Sequence, residues 1–305
     1  MSAPAPQLDL APASAPASAT NAFSASGTVT TVPPAVVPAN APAKTSAKTS
    51  TKTTASATAR PAVRYTVGLA RDAAEIRAAQ RLRHRVFAEE MGADLRTPEP
   101  GLDTDGFDAF CDHLVVREEA SGEVVGTYRL MPPERARAAG GLYAAGEFAL
   151  HRHIPLHSDL VEVGRSCVHP DHREGAVIGL MWAGIARYLA DTGHNWLAGC
   201  CSVPLDDGGA QAADVRAAVR RKYLAPEEYR VTPYSPWVPD AALESAERPR
   251  TPLPPLLRGY LRLGAWVCGE PAHDTDFGAA DFYVLLSLRR TDPRYLRRFL
   301  AMDSA

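Results

Sequence analysis

The sequence predicts an α/β or α+β fold, a mixed central sheet flanked by helices, carried by residues 63–305. Three observations predict it. Short β-branched apolar runs alternate with segments of helical period from Arg64 onward. Hairpin-like pairs interrupt that alternation, so the sheet is mixed. One run, "VEVGRSCVHPDHREGAVIGLMWAGIARY", passes from a strand through a His169-Pro170 turn into a helix with almost no polar face. Such a helix must be covered on more than one side.

The elements follow in order. "RYTVGLA" reads as a short strand. Asp72 caps the next helix, and Asp72 with Glu75 has the form of a capping box. That helix runs to about Met91 on a stripe of Ile76, Ala79, Val86 and Phe87, with Arg83 on the same stripe. Residues 92–112 form a long acidic loop. "HLVVREE" and "EVVGTYRLM" are strands joined by an Ala-Ser-Gly turn, and a short helix follows at 134–139. "LVEVGRSCV" is a strand, 175–192 a helix, "NWLAGCCSV" a strand and 209–223 a helix. A Pro-rich insertion covers about 225–253. "PPLLRGYLRLGAW" resumes as a helix with Pro at its start. "DFYVLLSLR" is the last strand, and "PRYLRRFLAM" a basic amphipathic helix.

Residues 1–62 are a different material, almost all Ala, Pro, Ser, Thr and Lys. Such a segment cannot bury enough apolar area to offset its ordering entropy and reads as a disordered tail. The net charge of −2 over 305 residues argues against binding nucleic acid by charge. Neither a signal peptide nor a spanning helix is legible. The cysteine count of 5 is odd and two are adjacent, which speaks against a disulfide framework. A cytoplasmic protein is expected; its basic segments are read as an inert extension or, alternatively, as peripheral contacts at the inner face of the membrane.

Strict alternation puts Glu162 and Arg165 on opposite faces of their strand. A bulge around Gly164 would bring both to one pocket and splay the strand from "NWLAGCCSV". It would also free a backbone N–H near Arg165 or Ser166 to polarise a carbonyl. In the turn that follows, Arg173 and Gly175 at a helix N-terminus suit a donor phosphate, with His169 shaping the turn. A Cys167, His169, His172 metal set lacks a fourth ligand. A calcium reading of Asp103, Asp105, Asp108 and Asp112 fails in register, because Gly101 falls where the first aspartate belongs. No metal or cofactor is expected. The Cys200-Cys201 pair has no evident base to make a nucleophile.

Taken together, "RHRVFAEEMGA", "CDHLVV", "VVGTYRL", "GEFAL", "VEVGRSCVHPDHREGAVIGLMW", "GCCSVP" and "LRGYLRLGAWVCGEPAHDTDFGAADFYVLL" resemble the bacterial ornithine-lipid N-acyltransferases, often labelled hemolysin-like, within the GNAT superfamily. The resemblance covers nearly all of the chain outside the tail. It implies the splayed sheet of GNAT proteins and acyl-homoserine-lactone synthases. It also implies transfer of a 3-hydroxyacyl chain from acyl-carrier protein to the α-amine of ornithine. Positions matching the lactone synthases are Arg83, Phe87, Asp105, Asp108, Arg129, Glu162 and Arg165. Two departures stand out. The acetyl-CoA loop is reduced to "REGAVI", without its second glycine, and Met91-Gly92-Ala93 replaces the expected tryptophan region.

The chemistry needs a base, because an amine attacks a thioester only when neutral. Glu162 is the candidate base, or the structural ion-pair partner of Arg165 or another buried arginine, and both can hold at once. Arg129 or Arg165 could clamp the acceptor's carboxylate, or both could merely neutralise the acidic loop. Arg83 reads as part of a charge network. Other functions consistent with these residues are an N-acyl amino-acid or signal synthase with another acceptor, and a membrane-active hemolysin-like binding protein.

Overall fold

The computed structural model describes residues 63–173, 175–244 and 250–302. The tail at 1–62 lies outside the described residues. The strands are β1 (Tyr65–Leu69), β2 (Asp112–Glu118), β3 (Val124–Met131), β4 (Phe148–Ala149), β5 (Leu160–Val168), β6 (Trp196–Pro204), β7 (Thr232–Pro233), β8 (Trp266–Val267), β9 (Ala272–Asp274) and β10 (Ala279–Ser287). The helices are α1 (Ala73–His84), α2 (Pro133–Ala138), α3 (Ala176–Thr192), α4 (Ala210–Ala218), α5 (Pro255–Arg262) and α6 (Pro293–Met302). The main sheet runs β1-β2-β3-β5-β6-β10-β8, with β9 beside β10. All its pairs are antiparallel except β5 with β6. The expected mixed sheet is therefore present. Within the Pro-rich insertion, β7 pairs with β4 as a small second sheet that the sequence pattern did not suggest.

Local sequence accounts for the ends of the helices. Asp72 accepts a hydrogen bond from the Glu75 amide at 2.9 Å. The reciprocal half of the capping box is replaced, because Glu75 is held by Arg71 and Arg117. The helix then continues as a π-helical turn, Arg85–Glu90, so the element ends near Met91 as the apolar stripe implied. Gly175 and Gly193, both with positive φ, bracket α3. The apolar character of α3 has a simple cause. One side packs on β1, β2 and β3, and α6 covers the other, where Phe299 stacks on Trp182 with ring centroids 6.3 Å apart. The basic C-terminal helix thus packs on α3 rather than against the sheet.

The helices divide between the two faces. On one, α3 and α5 enclose a core with Tyr128, Val161, Val163, Leu197, Phe282 and Val284. On the other, α1 packs Ala79, Leu82, Val86 and Phe87 against Val115 and Cys167. That second face also carries Arg129, Glu162, Cys200 and Asp281. It is roofed by the acidic loop and by the 3-10 turn Tyr143–Gly146.

The site depends on how β5 leaves its neighbours. Its parallel pairing with β6 covers Leu160, Val161 and Glu162 and then stops. Gly199 lies where the two strands part. A Cβ there would sit far inside contact distance of the Val163 carbonyl oxygen. Against β3 the register passes from Arg129↔Gly164 to Thr127↔Cys167, so that Arg165 and Ser166 of β5 stand against Tyr128 of β3 alone. The extra residue is a bulge at Arg165-Ser166, one position beyond the expected centre. Arg165 has φ 52, the sole positive φ of a non-glycine among the described residues. Such a conformation costs about 1–3 kcal/mol and persists only where surroundings enforce it.

Gly199→Ala should therefore lower stability by about 1–3 kcal/mol, as overpacking does, because the displaced atom is backbone. Gly164→Ala should be nearly neutral, since its Cβ meets nothing within 4 Å. Denaturant unfolding of the two variants checks both expectations.

Candidate active site

The bulge turns Arg165 onto the face that already carries Glu162, and both side chains line one cavity of about 830 Å³. They do not pair with each other. Glu162, 5% exposed, accepts hydrogen bonds from the backbone amides of Tyr143 (2.6 Å) and Ala144 (2.9 Å). Burial pushes its carboxyl up to about 7, against the downward pull of those two amides and of Arg129. Glu162 forms no ion pair with Arg165 or another arginine among the described residues; it is a carboxyl held on backbone amides and facing a cavity, with Arg129 acting on it only through its field.

The arginines separate by role. Arg83, 1% exposed, binds Asp108 through two hydrogen bonds of 2.9 Å, lies 2.9 Å from Asp103 and also donates to the Asp103 carbonyl. It reaches neither cavity and fixes the acidic loop onto α1, as a network residue would. Asp108 likewise lines no cavity. Arg129 lines the cavity and holds Asp105 at 2.6 Å and Asp108 at 3.4 Å. Arg165 is engaged more loosely, 3.2 Å from Asp103 and 3.4 Å from Asp105, and its Nε lacks a well-aligned acceptor. The Tyr143 and Phe277 rings flank its guanidinium at 5.0 and 4.9 Å. Arg165 is therefore held between rings, donating to the Tyr143 hydroxyl at 3.3 Å, while its polar edge is not saturated.

A second cavity of about 530 Å³ opens beside the first. Its walls include Asp94, Asp103, Asp105, Glu147, Asp274 and Asp276, with Arg96 and Arg165 as the arginines. The two cavities share Phe107, Tyr143, Arg165, Asp274 and Phe277. One compartment is thus acidic. The other extends through the gap between β5 and β6 to Ile178, Met181, Trp182, Ile185 and Leu256 of α3 and α5. Phe87 lines the apolar compartment as well.

Of the donor-side candidates, Arg173 and Gly175 line the apolar cavity. Arg173 is bound to Glu90 at 2.5 and 2.7 Å, so its charge is already offset. His169 lies outside both cavities. Its Nδ1 accepts from the Asp171 amide at 3.2 Å and shapes the turn before α3. Ser166 points to the opposite face, where it bonds the Tyr128 hydroxyl, itself 2.6 Å from that of Tyr260. Its backbone amide, like that of Arg165, belongs to a residue with no partner in the β3 register.

Sequence reasoning did not single out Tyr143, Glu147, Asp274 or Asp281. A signal existed for Asp281, a carboxylate inside the apolar run "AADFYVLL", the same signal that marked Glu162. Placing the strand's start at Asp281 hid it.

A bulged strand, a sheet that opens beyond it between β5 and β6, and a helix starting at the mouth of that gap define an acyltransferase of the GNAT type. Residues 82–183 match the family model of the acetyltransferase (GNAT) domain. The chain is 37% identical over 249 residues to the L-ornithine N(alpha)-acyltransferase of Rhizobium meliloti (strain 1021), a match spanning 76% of this chain and 82% of that relative. It is 36% identical over 247 residues to the enzyme of the same name from Brucella abortus (strain 2308), spanning 75% and 86%. The chain belongs to the L-ornithine N(alpha)-acyltransferase family and is an N-acyltransferase. Among solved structures, a CoA-dependent acyl-homoserine lactone synthase with SAM and isopentyl-CoA overlays with a TM-score of 0.47 at 17% identity, covering 80% of this chain and 90% of that one. No helix among the described residues is long and apolar enough to cross a membrane.

The charge network makes a prediction in acid. Burial alone would raise the Asp108 carboxyl, but hydrogen bonds from Arg83 and the charges of Arg83 and Arg129 outweigh it and hold the group down to about 2. The folded state therefore binds this proton later than the unfolded chain does. The contribution, about 2 kcal/mol at most, is complete above roughly pH 4 and is lost as pH falls toward 2. Asp108→Asn should reduce the loss of unfolding free energy between those pH values.

Proposed function

We propose that this protein transfers a long acyl chain, of the 3-hydroxyacyl type, from acyl-carrier protein to the α-amine of ornithine. The observation that carries the reading is the meeting of an apolar and an acidic cavity at Arg165, on the strand bulge. An amphiphilic product needs these two environments side by side, one for the chain and one for a cationic amino acid.

The roles follow from the geometry. The chain lies between α3 and α5, and the pantetheine arm occupies the gap between β5 and β6. The thioester carbonyl faces the backbone amides at Arg165-Ser166, which stabilise the oxyanion. Arg165, loosely paired and flanked by rings, holds the acceptor's carboxylate, while Arg129 and Arg83 keep the acidic loop in place. Glu162, poised near neutrality, takes a proton from the attacking amine. The C–N bond forms, the C–S bond breaks, and the proton leaves with the thiol. No covalent enzyme intermediate is needed. The five cysteines are buried or nearly so, and burial raises the thiol of Cys200 well above its usual range.

The donor reading rests on the turn before α3. Its single guanidinium is tied to Glu90 and "REGAVI" lacks the full glycine pattern. One phosphodiester of a carrier arm makes fewer demands there than a CoA pyrophosphate. The acidic carrier has exposed basic side chains to meet, Arg221 and Lys222 among them.

Glu162→Gln should lower turnover by about 100-fold or more while changing the melting temperature little. The wild-type limb of kcat/KM that rises with pH through about 7 should disappear in the variant, since deprotonation of Glu162 generates the base. Unchanged turnover would make Glu162 a structural residue only. Acyl-carrier protein should outperform the matching acyl-CoA at equal concentration, and its KM should rise with salt. Equal use of both donors without salt dependence would contradict the carrier reading.

A further inference from the structure

A second buried acidic group lies at the junction of the two cavities, apart from Glu162. Glu147 follows the turn Tyr143–Gly146, and Asp281 sits on β10 opposite Ser202 of β6. Ligand atoms of Glu147, Cys200 and Asp281 all lie within 4.8 Å of one another, with Cys200 Sγ 3.9 Å from Glu147 Oε2. Asp281 is 3% exposed, and its Oδ1 has no hydrogen-bond partner. No basic side chain of the described residues forms an ion pair with Glu147 or Asp281. This differs from Asp103, Asp105 and Asp108, each of which is met by an arginine.

An acid pair buried without an ion-pair partner, with only the field of Arg165 on Asp281 to offset it, is costly unless it keeps a proton or receives a cation. Burial, with repulsion from Asp274 on both groups and from Asp281 on Glu147, holds both carboxyls above the usual range, and the two share a hydrogen bond. Glu147 lines the acidic cleft, Asp281 the apolar cavity, and Asp274 both, so a cation entering with the acceptor would reach the pair. We propose that Glu147 and Asp281, with Asp274 beside them, bind the side-chain ammonium of the acceptor amino acid and so select a diamino acid over a neutral one. The inference rests on the ornithine reading above and names the residues that would enforce it. A divalent metal is the competing cation. Glu147, Cys200 and Asp281 supply only three mixed ligand atoms, a poor match to the larger all-oxygen shells of hard cations or the closed sets that hold zinc. The ammonium needs only acceptors, and carboxylate oxygens are acceptors.

The test compares ornithine with 2-aminopentanoate, which has the same carbon chain and no side-chain amine. It uses the full-length wild type, Glu147→Gln and Asp281→Asn. The wild type should prefer ornithine by about 1,000-fold or more in kcat/KM, since a site built for a polar group rejects the analogue lacking it. Each variant should cut that ratio at least tenfold, through a raised KM for ornithine. Melting curves check folding, and if Asp281→Asn fails to fold, Glu147→Gln decides. Where turnover is lost in a folded variant, the same ratio is read from calorimetric binding. An unchanged ratio overturns the proposal. So does activity abolished by EDTA and restored by Mn²⁺ or Zn²⁺, which would assign the group to a metal. A wild type that acylates other amines but not ornithine would overturn the ornithine reading itself. Ornithine turnover with an unchanged ratio would overturn only the assignment of Glu147 and Asp281.

Discussion

One extra residue in β5 organises this molecule. The register against β3 sets two residues of β5, Arg165 and Ser166, against one of β3, Tyr128, and Arg165 takes a left-handed conformation to do so. Everything chemical follows from that insertion. Arg165 turns onto the face of Glu162, the strand leaves β6 after Glu162↔Ala198, and a gap opens through the sheet. The gap joins an apolar space between α3 and α5 to an acidic space under the 92–112 loop. Without the bulge, Arg165 would lie with Val163 among the apolar residues of the other face, an expensive place for a charge.

The acidic loop is the second structural requirement, and its function is largely to house arginines. Arg83 is among the most deeply buried side chains of the protein, and it is tolerated because Asp103 and Asp108 meet it on several atoms. Pairing of this kind is a weak source of net stability but a strong source of specific geometry. Here it fixes the loop that roofs the site, leaving Arg165 as the arginine with unsaturated polar edges facing both cavities.

Much of this was legible in the sequence, for physical reasons. Glu162 and Arg165 stood out because charges in an otherwise apolar strand demand an explanation, and a glycine between them allowed a bulge. The bulge itself falls at Arg165-Ser166, because Gly164 keeps its ladder partner Arg129. Which of Arg129 and Arg165 is free to act was not legible, since that depends on distances to a loop distant in sequence. The small β4–β7 sheet was missed because strands of two residues carry no period. Glu147 was missed because it looks like an ordinary polar residue of a loop. Only the fold brings it beside Asp281, 134 positions away in the sequence.

The central claim is that the acyl carbonyl sits at the bulge, between the two compartments. The most direct test is a crystal structure with a non-hydrolysable acyl-pantetheine analogue. The account predicts its carbonyl oxygen within hydrogen-bond distance of the Arg165 or Ser166 amide, its arm between β5 and β6, and its chain along Met181 and Trp182. An analogue bound with its carbonyl away from the bulge, or with its chain in the acidic cleft, would contradict it.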